Sequence, residues 1–328
     1  MLAYIAKRLF WMIPSLFAVS FMAFVLIQLP PGDYVTTYIA TLAASNEVVD
    51  QQMAADLRVR FGLDQPFMVQ YWMWMKNILL RGDFGVSFEW QQPVSELIWE
   101  RMALTLTLTL ATLLLTWAIA LPLGVYSAVK QYSVGDYFAT ALGFIGLAIP
   151  SFLMALVLMY VAVVHFAQDV GGLFSPEFQN APWSWAKVVD LGKHIWVPMI
   201  ILAVNGTASL VRIMRANMLD ELPKPYVTTA RAKGLSEFRL LVKYPCRLAI
   251  NPFISTIAWL LPNLVSGAAI VAVVMSLPTA GPLLLQSLLS QDMYLAGAFI
   301  LLLCTLTLVG TLISDLLLAA VDPRIRLE

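Results

Sequence analysis

The residues of this chain that could do covalent chemistry fall into no working constellation. The two histidines, His165 and His194, lie far apart and outside any H-E-x-x-H pattern that would set two imidazoles on one helix face around zinc. Cys246 sits in a charged stretch and Cys304 in an apolar one, which argues against both a disulfide and a thiolate metal site. A phosphate cradle of the form G-x-x-x-x-G-K-[ST] is missing; the one Gly-Lys pair, Gly192-Lys193, is followed by His194. Ser266-Gly267 has no base nearby in the sequence and reads as a helix contact. The chain is therefore expected to hydrolyse nothing and to hold no metal or cofactor of its own.

The chemistry that remains is that of recognition, in the basic stretch from about Arg212 to Asn251. Pro223 and Pro225 break the chain, so a new helix can begin near Tyr226. It carries the small residues Thr228, Thr229, Ala230 and Ala232 and stops at Gly234. A second helix is expected over Glu237 to Lys243. A short helix with small side chains suits a groove on another protein, and Arg231 and Lys233 could meet acidic groups there. An ordinary basic loop at the lipid headgroups fits the same residues equally well.

The elements that must position this stretch are apolar. The 328 residues are 60% hydrophobic and 12% charged, against roughly 25% charged in soluble domains. Runs of about 20 apolar residues suit helices that cross ~30 Å of hydrocarbon. Six spans are predicted, at about 9–29, 102–129, 137–164, 195–214, 253–275 and 293–320. The first is too long for the apolar part of a signal peptide and is read as retained. Leu and Thr alternate from Ala103 to Leu110 as in a strand, but the run continues to Val129 without a turn signal, so helix is preferred; an open strand would leave backbone groups unpaired in lipid. Pro122, Pro150 and Pro262 predict kinks, and Gly143, Gly146 and Gly267 predict close helix approach.

Counting Lys and Arg orients the chain. With the N-terminus inside, 13 of the 20 basic residues fall in inner segments and 7 in outer ones, which favours both termini in the cytoplasm. The 20 acidic residues divide 7 inside and 13 outside. Net charge is zero, so no nucleic-acid partner is expected.

Two outer segments follow. In residues 30–101, Met53, Leu57 and Phe61 recur with helical period before Gly62. A second helix is expected from about Pro66 to Leu80, with Phe67, Tyr71, Trp74 and Ile78 on one face, Asp64 as a cap and Gly82 beyond its end. That aromatic face would lie on the membrane surface or pack on the bundle. A third helix starts at Pro93 and runs into the second span. The other outer segment, 165–194, reads as a loop with Trp183 and Trp185 as interfacial anchors.

No predicted span has an ionisable group at its centre, where one would cost roughly 2.5–3.5 kcal/mol on insertion scales. The mid-span polar groups are neutral: Asn205, Thr207, Ser209, Asn263 and Ser266. Of these, Asn205, Asn263 and Ser266 are candidates to face a translocation path, with helix–helix hydrogen bonding the competing role. The pattern suits transport energised elsewhere better than a stand-alone ion-driven carrier.

The run Tyr226-Val227-Thr228-Thr229-Ala230-Arg231-Ala232-Lys233-Gly234-Leu235 resembles the coupling (EAA) loop of ABC importer permeases, in the form found in the dipeptide/oligopeptide/nickel family. Pro31-Gly32-Asp33, Gly62-Leu63-Asp64-Gln65-Pro66, Gln70-Tyr71, Arg81-Gly82-Asp83-Phe84-Gly85 with Ser87, and Asp322-Pro323-Arg324-Ile325-Arg326 agree in order and spacing over nearly the whole chain. The resemblance implies an all-α polytopic membrane protein with the six transmembrane helices of the type I importer fold and a helical extracytoplasmic segment after the first. It implies residues 1–98 as first span plus outer region, 99–320 as the transmembrane domain with coupling loop 215–251, and 321–328 as a cytoplasmic tail, in a bacterial inner membrane. It implies a second homologous permease, two ATP-binding subunits that hold ATP and magnesium, and an extracytoplasmic solute-binding protein. Tyr226, Thr229, Ala230, Arg231, Ala232, Lys233, Gly234 and Leu235 would sit in the ATPase groove. The chain departs from the pattern at Thr229, where the general motif has Glu or a substitute, and at Pro245-Cys246. Peptides are the expected cargo, with nickel and oligosaccharides carried by relatives; Ser276 to Pro282 departs from the form common in peptide permeases.

Overall fold

A computed structural model describes residues 2–29, 35–36, 39, 51–166, 171–179, 181–255 and 269–321. Among them the backbone is helical, apart from turns and one isolated bridge between Val86 and Pro93. In chain order the helices are α1 (Leu2–Gln28), α2 (Gln51–Phe61), α3 (Phe67–Arg81), α4 (Val94–Val129), α5 (Val134–Ala148), α6 (Ser151–Phe166), α7 (Trp185–Glu221), α8 (Pro225–Ala232), α9 (Glu237–Lys243), α10 (Pro245–Ala249), α11 (Ala269–Val274), α12 (Ala280–Leu289) and α13 (Met293–Val321). The chain divides into two compact units, one of residues 1–4, 106–278 and 309–328, the other of residues 5–105 and 279–308.

Among the described residues, three helices are long and apolar enough to cross a membrane singly, within α1, α4 and α13. Two more spans arise only if each of two bent runs counts as one. The span predicted at 137–164 is such a run: α5 and α6 meet at 104°. Pro150 disfavours helical geometry in the residue before it, and Ile149 is extended at φ −85°, ψ 122°, so the expected kink is a full break. The span predicted at 195–214 is longer, covering Trp185 to Glu221, with a 46° bend between Val204 and Gly206. Most of the span predicted at 253–275, with Pro262 and Gly267, lies outside the described residues, as do Pro31 to Asp33 and the Asp322–Arg326 motif.

The early start of α7 corrects the expectation of a loop over 165–194. Ser184 caps the helix by accepting from Lys187 N. Lys187 is buried, but its ammonium donates to Ala181 O at 2.6 Å and lies over the rings of Phe174 and Trp183. Asp190, also buried, accepts from Ser175 N and Oγ at 2.8 and 2.7 Å. Charges that read as loop residues are instead one helix face, satisfied by residues 175–183.

In the same unit, glycines let helices touch. A Cβ on Gly124 of α4 would stand 2.5 Å from Met214 Cβ of α7, and one on Gly146 of α5 would stand 2.7 Å from Val204 Cγ1. Gly143 is looser, 3.8 Å from Ala208 Cβ.

In the other unit, α3 turns its aromatic face to α1. Tyr71 and Trp74 are buried, with Phe24 stacked on Trp74 at 5.9 Å and Phe21 edge-on to Tyr71 at 5.3 Å. Of the two placements expected for that face, packing holds. Asp64 does not cap α3: Pro66 takes the cap position without a side-chain bond, and Gln70 reaches back to Gln65 O at 2.7 Å instead. Of the helical repeat Met53, Leu57 and Phe61, α2 spans all three positions and ends at Gly62, φ +68°. The Leu/Thr alternation of 103–110 lies in α4, where Thr105 Oγ1 returns its proton to Arg101 O at 2.7 Å.

The motif from Arg81 to Ser87 is a clasp. Gly82 closes α3 in left-handed conformation, Asp83 Oδ1 accepts from Gly85 N at 2.8 Å, and Trp74 Nε1 donates to Phe84 O at 3.2 Å. Asp292, fully buried ahead of α13, accepts from Ser87 Oγ at 2.5 Å, Phe88 N at 2.8 Å and Leu295 N at 3.2 Å. Burial pushes the Asp292 carboxyl up, against the pull of those donors.

Candidate functional site

The basic stretch forms a self-contained helical unit. At its start, Glu221 at the end of α7 accepts from Lys224 Nζ and from Tyr226 OH, each at 2.6 Å. Pro225 opens α8 at the first helical position, where its missing N–H costs nothing and its φ is already set. Val227 and Ala230, three residues apart, point inward and meet Leu240 of α9; all three are buried, and Tyr226, Leu235, Leu241 and Tyr244 close around them. The remaining helical residues Thr228, Thr229, Arg231 and Ala232 are exposed, as are Lys233 and Gly234.

The end of α8 is a Schellman turn. Leu235 N donates to Ala230 O at 3.4 Å and Gly234 N to Arg231 O at 3.0 Å, satisfying carbonyls that the helix end leaves open. Gly234 adopts φ +78°, and nothing lies within 4 Å of where its Cβ would be. Glycine is required there by backbone conformation, not by crowding.

Arg231 is held within the chain. Its Nε and Nη2 donate to Glu237 Oε1 and Oε2 at 2.7 and 3.1 Å, across the Gly234 turn. Glu237 holds the Arg231 guanidinium above its usual range and is itself held below the ordinary carboxylate range by that guanidinium. Of the two cations expected to meet a partner, Arg231 is thus already braced, while Lys233 is exposed.

The unit is tied back to the long helices. Tyr244, at φ −114°, ψ −80°, separates α9 from α10, which Pro245 opens. Ala249 and Phe253 pack with Met214 and Met218 of α7 and with Ala120 and Ala128 of α4. Cys246 lies 3.8 Å from Met218 Sδ, and burial raises its thiol pKa, so it is an inert packing residue.

The site residues expected from sequence at 226–235 are therefore one local structure. Of the path candidates, Asn205 stands at the bend of α7, where only the backbone is described, and Asn263 and Ser266 lie outside the described residues. Sequence reading missed Glu237 as the partner of Arg231, although a carboxylate in the first turn after a glycine stop was a usable signal. It also missed Asp292, whose tie to Ser87 spans two distant parts of the chain.

Residues 120–327 match the family described as "Binding-protein-dependent transport system inner membrane component", and residues 1–109 match its N-terminal counterpart. The chain belongs to that family: it is a multi-pass inner-membrane permease subunit of an ABC importer, and ATP hydrolysis resides in a separate subunit. It is 36% identical to the oligopeptide transport system permease protein AppB of Bacillus subtilis, over 99% of both chains. Its identity to the dipeptide transport system permease protein DppB of Alkalihalophilus pseudofirmus is 30%, over 99% of this chain and all of that one. Among solved structures, an inward-facing MetNI methionine ABC transporter chain superposes with TM-score 0.52 at 18% identity, over 70% of this chain and 97% of that one, a likeness of fold.

Proposed function

We propose that this chain is a permease of a di- or oligopeptide importer, and that α8 with its Gly234 turn is the handle by which ATP-binding subunits drive it. The cargo class rests on relatives named for oligopeptide and dipeptide transport. The chain pairs with a second homologous permease, two ATP-binding subunits carry ATP and magnesium, and a solute-binding protein delivers cargo from outside. It crosses the membrane six times with both termini in the cytoplasm, and residues 30–101 form the helical extracytoplasmic segment. Asn205, Asn263 and Ser266 are the candidates to face the path, with helix–helix hydrogen bonding the competing role.

The observation that carries the coupling reading is the split character of α8. One face, Val227 and Ala230, is sealed against Leu240, and the other presents Thr228, Thr229, Ala232 and Lys233 to solvent. A short helix already folded at its base loses little entropy on entering a groove. ATP-driven closure of the ATPases then moves α8, and the packing of α10 on Met214 and Met218 passes that motion to α4 and α7.

Ala232→Cys, in a chain with Cys246 and Cys304 replaced by Ser, should cross-link to the ATP-binding subunit in the assembled complex, with a yield that changes on adding ATP. Labelling of position 232 from the extracytoplasmic side, or adducts to lipid alone, would overturn the assignment.

A further inference from the structure

We propose that the cavity between α5 and α7 holds the headgroup of an anionic membrane phospholipid, with Arg212 as its cation. The cavity encloses about 290 Å³, at the small end of ligand sites, roughly 300–1,000 Å³. Tyr132, Tyr137, Thr140, Phe144, Arg212 and Arg215 are among the residues that line it.

Its charge balance is uneven. Asp136, only 3% exposed, is wholly committed: Oδ1 accepts from Arg215 Nε, Oδ2 from Arg215 Nη2, both at 3.1 Å, and Oδ2 also from Tyr132 N at 2.9 Å. The charge of Arg215 is thereby cancelled. Arg212, three residues earlier and so on the same face of α7, lies 5.5 Å from the Phe144 ring centroid and has no carboxylate partner among the described residues. The pocket thus keeps one positive charge, with the hydroxyl-bearing Tyr132, Tyr137 and Thr140 in its lining as further donors.

The site is built, not incidental. Tyr132 is held at φ +62°, a conformation costly for a non-glycine residue, by the bond from its N–H to Asp136. Beside it, Phe138, Leu142 and Ile145 are exposed at helical spacing on α5, an apolar track for acyl chains. A cation, hydroxyls and an adjoining apolar face match an amphiphile with a negative head. A free phosphate would leave the track bare.

The proposal rests on the reading that this end of α5 and α7 meets the cytoplasmic leaflet. The test uses the assembled complex, delipidated in an uncharged detergent and titrated with phosphatidylglycerol, with phosphatidylcholine of the same acyl chains, or with inorganic phosphate, binding being followed by native mass spectrometry. Phosphatidylglycerol should bind preferentially and about tenfold more weakly to Arg212→Gln, which loses one charge-assisted bond. Gly143→Leu, which alters no charge but fills the cavity, should weaken it as well and carries the test if Arg212→Gln does not assemble. Equal binding of phosphatidylcholine, equal binding of phosphate alone, or unchanged binding in the variants would overturn the proposal and leave Arg212 a cation that merely reaches to the interface. Cysteine labelling at Val134 from the extracytoplasmic side would fail the orientation instead, without touching the lipid measurement.

Discussion

The guanidinium of Arg231 grips both carboxylate oxygens of Glu237, at 2.7 and 3.1 Å, across the turn at Gly234. Both side chains are about half exposed or more, at 49% and 60%, so the pair adds little to global stability. It acts instead on local stiffness, fixing α8 against α9. Glu237→Gln should leave thermal unfolding nearly unchanged but speed hydrogen exchange over residues 231–240 and lower uptake per ATP hydrolysed. The pH dependence has a definite sign. The Glu237 carboxyl is depressed in the fold, so the brace is complete above the ordinary glutamate range and is lost as pH falls through the depressed value. Protection of the same residues, corrected for intrinsic exchange, should therefore fall only in acid, and should not change with pH in Glu237→Gln.

Gly234 gives a second prediction. A Cβ there meets no atom within 4 Å, yet φ is +78°. The cost of a side chain is then conformational, about 1–2 kcal/mol for an ordinary L-residue and less for Asn. Gly234→Asn should retain most uptake. Gly234→Val should insert in the membrane normally while ATP hydrolysis proceeds with little transport. Equal uptake in the Asn and Val variants would show that the left-handed turn is immaterial.

The contact of Gly124 with Met214 gives a third. Because the nearest atom to a new Cβ is Met214 Cβ, at 2.5 Å, Gly124→Ala forces α4 and α7 apart, at a cost of about 1–3 kcal/mol. Trimming the partner to Met214→Ala leaves that Cβ in place, so the double variant should stay destabilised in a thermal melt. Full rescue by Met214→Ala would place the clash on Met214 Cγ, 2.8 Å from the new Cβ, and not on Met214 Cβ.

How much of this could be read in advance depended on the range of each interaction. The bounds of α8 came from Pro225 and Gly234, whose effects on the backbone are local. Pro150 announced a disturbance, but not that Ile149 would leave helical space and turn a kink into a 104° corner. Lys187 and Asp190 read as loop residues because their partners, Ala181 O and Ser175, are set by the fold of residues 171–183. Asp64 had the right type for a cap but stands two residues outside the cap position taken by Pro66.

Asp292 lay furthest from view, and it supports the last prediction. Its carboxylate joins the 87–88 turn to the start of α13 through Ser87 Oγ, Phe88 N and Leu295 N. Removing it strands the Ser87 hydroxyl and the Phe88, Glu89 and Leu295 amides, whereas removing Ser87 Oγ strands only the Trp90 amide, whose N–H it accepts at 3.2 Å, and one carboxylate lone pair. Asp292→Ala should therefore cost about 2–4 kcal/mol and Ser87→Ala about 1–2 kcal/mol. The two costs should not add: once the carboxylate is gone, Ser87→Ala should cost less than in the intact protein, because the hydroxyl has lost its acceptor and keeps only the bond from Trp90 N. Thermal unfolding of the four proteins of the cycle in one detergent measures the coupling directly. Additive losses would mean that the two residues act separately and that the clasp is held by the backbone amides alone.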